Sequence, residues 1–149
     1  MSAIGMAVRL KDTRPIATVV EAVGPRTDLR LRTLLVQPPS AADAALTLRE
    51  LMAALNSLRL DDDVSCVVVR SINLFASTPT VQRTHHQVEG VMLAVSRVTV
   101  PRVEALDNQA IARICGSTWE ETKASVASFE TDPDASAAAL AALILAGEA

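Results

Sequence analysis

The segment Val64–Val69, which reads Val-Ser-Cys-Val-Val-Val, constrains the fold more than any other part of the chain. It is a nearly continuous run of apolar, mostly β-branched residues, which is typical of a strand covered on both faces. A sheet that contains such a strand needs helices on both of its sides. We therefore expect an α/β fold.

Three strand-like segments precede this run: Ile4–Leu10, Ile16–Val23 and Leu29–Val36. Turn-forming residues at Asp12–Pro15 and Gly24–Pro25 separate them. The third segment alternates apolar and basic residues, which is the period of a half-exposed strand. Two turns that join three strands in so short a stretch predict an antiparallel meander.

The rest of the chain predicts helices around two strands. Apolar residues at helical spacing indicate helices at Leu46–Leu58, after a capping box at Ser40 and Asp43, and at Thr80–Val95. Pro101–Leu106 is predicted as a short strand. Three helices follow. Their predicted end signals are Asp107 and Gly116 for the first, a capping box of Thr118 and Glu121 for the second, and Asp134 for the last. Without repeats or a linker, residues 1–149 are expected to form one domain.

The amino-acid composition argues against some classes of structure and function. Half of the 149 residues are hydrophobic, which excludes disorder as the default. The chain contains 25 Ala but one Trp, two Phe and no Tyr, so the predicted core is aliphatic. So few aromatic residues argue against a nucleic-acid binder that stacks bases on aromatic platforms.

Charge and cysteine usage add further expectations. The net charge is −3, but basic residues cluster between Arg9 and Arg32, either as a phosphate-binding face or as a solvated strand face. Cys66 and Cys115 lie in apolar runs without metal-ligand spacing, which favours buried reduced thiols. The longest run of small apolar residues, Ala135–Ala146, is too short to span a bilayer. We expect a cytoplasmic protein without a membrane segment.

Several segments together resemble the RuvC-type Holliday-junction resolvases of the ribonuclease-H-like superfamily. Ile4–Ala7 is similar to that family's opening strand, and Cys66–Arg70 to its central strand. Gln87–Ala94 resembles a family helix with a small residue at its centre. The segments that resemble later family elements are Val100–Ala105, Gln109–Gly116, Thr122–Val126 and Asp134–Ala142. The resemblance implies a mixed five-stranded sheet, with a three-stranded antiparallel meander and two parallel strands, flanked by helices.

The departures from the family pattern concern its chemistry. The family holds divalent cations with carboxylates on the first strand, the central strand and the last helix. On this alignment those positions hold Ala7, Arg70 and Ala138. Two unit charges 4 Å apart interact by about 4 kcal/mol at an effective dielectric constant of 20, so Arg70 would repel a divalent ion strongly. The resemblance therefore implies a pseudonuclease, with no catalytic residue, metal or cofactor; the alternative is an active structure-specific endonuclease with a displaced site.

Other candidate sites are weaker. Asp134, near the last helix, is predicted to be its N-cap. His85 and His86 are adjacent on a helix and therefore point about 100° apart, which predicts a surface or interface pair rather than a metal site. The acidic triplet Asp61–Asp63 is predicted to be a solvated turn.

Two non-enzymatic functions remain. In one, Arg9, Arg70 and Lys123 bind a nucleic-acid backbone weakly; alternatively, Arg70 fills the former metal site and pairs with Glu104 or Asp134. In the other, the domain binds a protein partner or a second copy. The family usually dimerises through the helix equivalent to Thr80–Val95. The interface candidates are Val88, Gly90, Val91, Met92 and Val95, unless this apolar stripe packs on the chain's own sheet.

Overall fold

The five strands form one mixed sheet with the order β3-β2-β1-β4-β5. The computed structural model describes residues 2–11, 14–38, 44–60, 63–72 and 78–147. The strands are β1 (Ser2–Lys11), β2 (Arg14–Val23), β3 (Arg30–Gln37), β4 (Val64–Arg70) and β5 (Val103–Leu106). The pairs β1–β2 and β2–β3 are antiparallel, and β1–β4 and β4–β5 are parallel. The predicted meander and the predicted five-stranded mixed sheet are confirmed.

Helices cover both faces of the sheet. The helices are α1 (Ala44–Ser57), α2 (Pro79–Thr99), α3 (Asn108–Cys115), α4 (Trp119–Val126) and α5 (Pro133–Leu145), with single 3-10 turns at Arg26–Asp28 and Ala127–Phe129. The helices α1 and α2 pack on the face that carries Met6 and Val69. The helices α3, α4 and α5 pack on the opposite face, which carries Ala7 and Val68. The strand β4 has apolar neighbours on both sides, as its sequence requires.

The helix ends follow the chemistry of their caps. Asp107 Oδ1 accepts a hydrogen bond from the Ala110 amide, and Gly116 ends α3 in a left-handed conformation. Thr118 Oγ1 accepts from the Glu121 amide and donates to that residue's carboxylate. These two predictions are confirmed.

The predicted cap of the last helix is wrong by two residues. Asp132 is the N-cap of α5, and its carboxylate accepts from the Ala135 amide at 2.9 Å. Pro133 occupies the first helical position, where the missing N–H costs nothing. Asp134 lies inside the first turn, which leaves its carboxylate free for a tertiary contact.

Several sequence predictions lie outside the described residues. These are the capping box at Ser40 and Asp43, the first part of the acidic triplet at Asp61 and Asp62, and the turn residues Asp12 and Thr13. Among the described helices, none is long and apolar enough to cross a membrane.

Gly5 sets the distance between α5 and the sheet. A Cβ atom built on Gly5 would lie 2.1 Å from the Ala135 carbonyl oxygen and 2.1 Å from the Ala139 amide nitrogen. The backbone of α5 therefore occupies the space that a side chain on β1 would need. The residues from Ala135 to Leu143 are all buried, and most of them are alanine, so the helix itself forms the middle of this core layer.

Both cysteines are free thiols buried in this same layer, Cys66 on β4 and Cys115 at the end of α3. Burial raises the pKa of each thiol to about 11. The thiols are therefore protonated at neutral pH and act as small apolar side chains, which confirms the prediction of buried reduced cysteines.

Replacing Gly5 by alanine tests the close approach of α5. We expect the G5A variant to lose about 3 kcal/mol of unfolding free energy or more, because the new methyl group meets backbone atoms that cannot rotate away. The matched control is G90A, since Gly90 lies in α2 with open space around it. That variant should gain up to about 1 kcal/mol from helix propensity. Urea denaturation measures both; equal stabilities would contradict the tight contact.

Candidate functional site

The three positions that the resemblance aligns with family carboxylates, Ala7, Arg70 and Ala138, lie on the α5 side of the sheet. Ala7 follows the pair Met6–Val69 of the parallel β1–β4 ladder, and Arg70 follows it on the other strand, so these two residues are neighbours across strands. Ala138 lies in α5 and belongs to the same buried cluster as Ala7. Ala7 and Ala138 are both closed off from solvent, at 2% and 0% exposure.

The Arg70 side chain extends from the end of β4 and contacts three other side chains. Its Nε donates to Asn108 Oδ1 at 2.6 Å, and its Nη1 lies 3.3 Å from Asp134 Oδ2. Its guanidinium carbon is 5.3 Å from the ring centre of Trp119, within the range of a cation–π contact. Only 10% of the Arg70 side chain is exposed.

These contacts decide between the predicted partners of Arg70. The guanidinium pairs with Asp134, whereas Glu104 lies 3.6 Å from Arg102. The charge of Asp134, in the first turn of α5, is balanced by Arg70. Across the described residues, no group of three His, Cys, Asp or Glu side chains is placed to hold a metal ion.

Two cations lie near the ring of Trp119. Lys123 Nζ is 5.6 Å from the centre of the indole ring, on the next turn of α4, and also 3.6 Å from the Glu120 carboxylate. The helical pattern predicts that Trp119 lies in a helix but indicates no role for it at the site. Its contact with Arg70 joins residues far apart in sequence, so only the tertiary fold shows it.

Arg70, Asn108, Trp119, Lys123 and Asp134 form one cluster of contacts, which is called the cleft. Exposed basic residues extend from this cleft along the β1–β2 hairpin. Side chains alternate along a strand, so Arg9 and Lys11 point to the same side of the sheet as Ala7. Arg14 pairs with Lys11 in the ladder and shares that side. Arg9, Lys11 and Arg14 are all exposed. Arg9 is two positions from Ala7, which is about 7 Å along the strand.

The candidate interface residues on α2 lie partly in the core and partly on the surface. Val88 and Met92 are buried against the sheet, and Val91 and Val95 pack partly against the same cluster. Gly90 is exposed on the other side of the helix, and the space that a Cβ atom would take there is open. This side also carries Val98, which is 81% exposed. The apolar stripe of α2 is therefore occupied within the chain, at least at Val88 and Met92.

The prediction of a surface histidine pair is wrong for His85. His85 is fully buried, and its Nε2 lies 2.9 Å from the Glu89 carboxylate. The spacing to Val88, Glu89 and Met92 places it on the inner face of α2. Glu89 also accepts hydrogen bonds from the Ile72 amide and the Ser71 hydroxyl, so it ties α2 to the end of β4. His86 is half-exposed and lies 3.4 Å from the same carboxylate.

Comparison with solved structures identifies the fold. The RuvC structure from Thermus thermophilus aligns with a TM-score of 0.71 over 99% of this chain and 96% of that one, at 19% identity. The T. thermophilus RuvC structure in complex with a Holliday junction substrate gives a TM-score of 0.67, with the same coverage at 18% identity. The yeast mitochondrial Holliday junction resolvase Ydc2 gives 0.55 over 98% of this chain and 79% of that one, at 7% identity.

The chain has the RuvC-type, ribonuclease-H-like fold. No family model and no curated protein matches the sequence. In this RuvC-type fold, the residues that sequence analysis assigned to the site come together only in part. Arg70 and Lys123 meet through Trp119, and Arg9 lies further along β1 on the same side. Asn108 and Trp119 complete the cleft and were missed by sequence analysis.

The Arg70–Asp134 ion pair is expected to stabilise the fold measurably. Removing Arg70 in the R70M variant leaves Asp134 and Asn108 without their partner, and we expect a loss of about 2 kcal/mol. A double-mutant cycle with D134N should give a coupling energy of about 1 kcal/mol.

The matched control is the Arg32–Glu21 pair, which has a similar separation of 3.0 Å but an arginine that is 72% exposed. A cycle with R32M and E21Q should give only a few tenths of a kcal/mol. Thermal and urea unfolding measure every member of the two cycles. A coupling at Arg70 no larger than that at Arg32 would contradict a stabilising role in the cleft.

Proposed function

We propose that this chain is a non-catalytic RuvC-type domain that binds the backbone of nucleic acids. The observation that carries the proposal is Arg70 at the end of the central strand, paired with Asp134 and covered by Trp119. On the alignment that the resemblance gives, the Arg70 guanidinium stands where the family carries a carboxylate. Two-metal hydrolysis needs several carboxylates around two cations, and here the local charges of Arg70 and Asp134 cancel.

The electrostatic cost of a cation supports the same conclusion. A single charge 4 Å from a guanidinium is repelled by about 4 kcal/mol at an effective dielectric constant of 20, and a divalent ion by twice that. Asp134 offsets part of this repulsion but is already engaged with Arg70. Alanine at positions 7 and 138 supplies no further ligand.

Backbone binding is assigned to exposed cations around the cleft. Arg9, Lys11 and Arg14 form a basic strip on the β1–β2 hairpin. Lys123, which is half-buried near Trp119 and lies 3.6 Å from the Glu120 carboxylate, adds a fourth cation. The T. thermophilus RuvC structure that shares this fold was solved with a Holliday junction substrate. Arg70 contributes indirectly, because its contacts hold Trp119 and Asp134 in position.

Salt-dependent binding tests this function. We expect a four-way junction and single-stranded DNA to bind at low salt, with an affinity that falls as salt rises because phosphate contacts release counterions. Each of R9Q and K123Q should lower the slope of log affinity against log salt by about one. The matched control is R97Q, an exposed arginine on α2 in the opposite helical layer. Fluorescence anisotropy of labelled DNA gives these values.

The same samples distinguish binding from cleavage. With Mg²⁺ or Mn²⁺ added, gel electrophoresis should show intact junction DNA. Metal-dependent products would favour the alternative, an active endonuclease with a displaced site. Absence of any shift at low salt would contradict backbone binding.

A protein-interaction role through α2 is the second candidate. It is favoured by Val98, a large apolar side chain that is 81% exposed, and by the open surface at Gly90, which permits close approach of another helix. A second copy of the chain is the simplest partner for this surface.

Self-association is measured directly. We expect light scattering to find a dimer at protein concentrations of tens of micromolar. At these concentrations a dimer with a micromolar dissociation constant is largely assembled. In G90R, the added side chain has open space in one chain but blocks a close helix–helix approach, so the dimer should be lost while the melting temperature is kept. G90A is the control. A monomeric parent protein would contradict the homodimer.

A further inference from the structure

The single tryptophan of the chain lies at the edge of the cleft rather than at the centre of the core. Trp119 is the first residue of α4, and its side chain is only partly buried. The most completely buried large side chains of the described core are aliphatic, sulfur-containing or histidine. The Trp119 side chain packs against the edge of the core cluster on the α5 side, and the rest of it meets solvent.

The backbone that carries Trp119 is held firmly. Thr118 caps α4 through the Glu121 amide, and its own carbonyl accepts from the Thr122 hydroxyl at 2.8 Å. The Ser117 hydroxyl lies 2.8 Å from the same Thr122 oxygen. These hydrogen bonds hold the first turn of α4, which carries the indole of Trp119.

The exposed part of the indole lines an open cavity of about 610 Å³ between α3 and α4. This volume is within the range of small-molecule sites. Gln109 and Arg113 contribute an amide and a cation to its wall. Gln109 also lines a neighbouring cavity of about 650 Å³ at the carboxyl ends of β4 and β5, so the two cavities adjoin at the start of α3.

The charges around the ring suit a phosphodiester chain. Arg113 is exposed on the cavity wall, and Lys123 is near the indole. Glu120 also lines the cavity, but its carboxylate is 3.6 Å from Lys123 Nζ, which balances it. The basic strip of Arg9, Lys11 and Arg14 lies on the same side of the sheet.

We infer that Trp119 stacks on one base of a single-stranded nucleic acid, in the cavity lined by Gln109 and Arg113. The inference rests on the backbone binding proposed above and adds the class of strand. Bases within a duplex are already stacked on their neighbours, so a ring on a protein surface reaches only an unpaired or extruded base. The low aromatic content excludes a row of such platforms, but one ring at the cleft is sufficient for one base.

The chain supplies its own probe for this contact. It contains one Trp and no Tyr, so intrinsic fluorescence reports on Trp119 alone. We would titrate the protein at low salt with oligothymidylate and with an abasic oligonucleotide of equal length and charge. Oligothymidylate should quench the emission and bind roughly tenfold more tightly than the abasic strand, since base–aromatic stacking typically contributes that much. Anisotropy of labelled strands measures the affinities.

Two variants give the controls. W119L should bind both strands with the affinity of the abasic strand, whereas W119F should keep part of the difference. F129L makes the same kind of change at the other described aromatic residue, away from this cavity, and should keep the full difference.

The outcomes separate the two proposals. Equal affinities of the parent protein for the two strands, without quenching, would overturn base stacking and leave backbone binding intact. No binding of either strand would overturn both. The comparison of strands with the parent protein needs no substitution, so it remains decisive even if W119L fails to fold.

Discussion

The backbone contact between α5 and β1 over Gly5 is the constraint on which the rest of the α5 layer depends. A helix that lies this close to a strand leaves room only for small side chains, and α5 supplies alanine at most of its buried positions. The close fit also determines where the N-terminus of α5 lies. Asp134, in the first turn, is thereby brought within 3.3 Å of the Arg70 guanidinium at the end of β4. The packing of one glycine and the electrostatics of the cleft are parts of the same arrangement.

The Arg70 side chain in the cleft is held by three partners of different chemistry. Arg70 donates to an amide oxygen, pairs with a carboxylate and faces an indole ring, so its charge is neutralised by protein groups. A buried guanidinium without such partners would cost several kcal/mol. Lys123, which also lies near Trp119, is more exposed than Arg70, and its ion-pair partner Glu120 lies at the surface. Arg70 is thus enclosed by protein groups, whereas Lys123 is partly exposed to solvent.

Local patterns in the sequence were sufficient to predict most of the fold. The apolar run of β4 and the caps at Asp107 and Thr118 depend on neighbouring residues, and the structure confirms each of them. The strand β3 also forms, but its alternation breaks at Thr33–Leu35, where the register with β2 shifts. The cap of α5 was misplaced although Pro133 marks the first helical position and so identifies Asp132. His85 was placed on the surface although its spacing to Val88 and Met92 indicates the inner face. The partners of Arg70 were harder to predict, because Asn108, Trp119 and Asp134 are brought to it by three different helices.

The ion pair in the cleft also bears on whether the fold can regain metal chemistry by small steps. A carboxylate introduced at Ala7 or Ala138 would lie in a buried layer beside a guanidinium that is already fixed. It would pair with Arg70 before it could attract a divalent cation, since the nearer opposite charge dominates in a medium of low dielectric constant. Arg70 must change first, and that change alone leaves Asp134 and Asn108 without a partner. A metal site could therefore return only through an intermediate sequence of lower stability. No single substitution in the present cleft restores it.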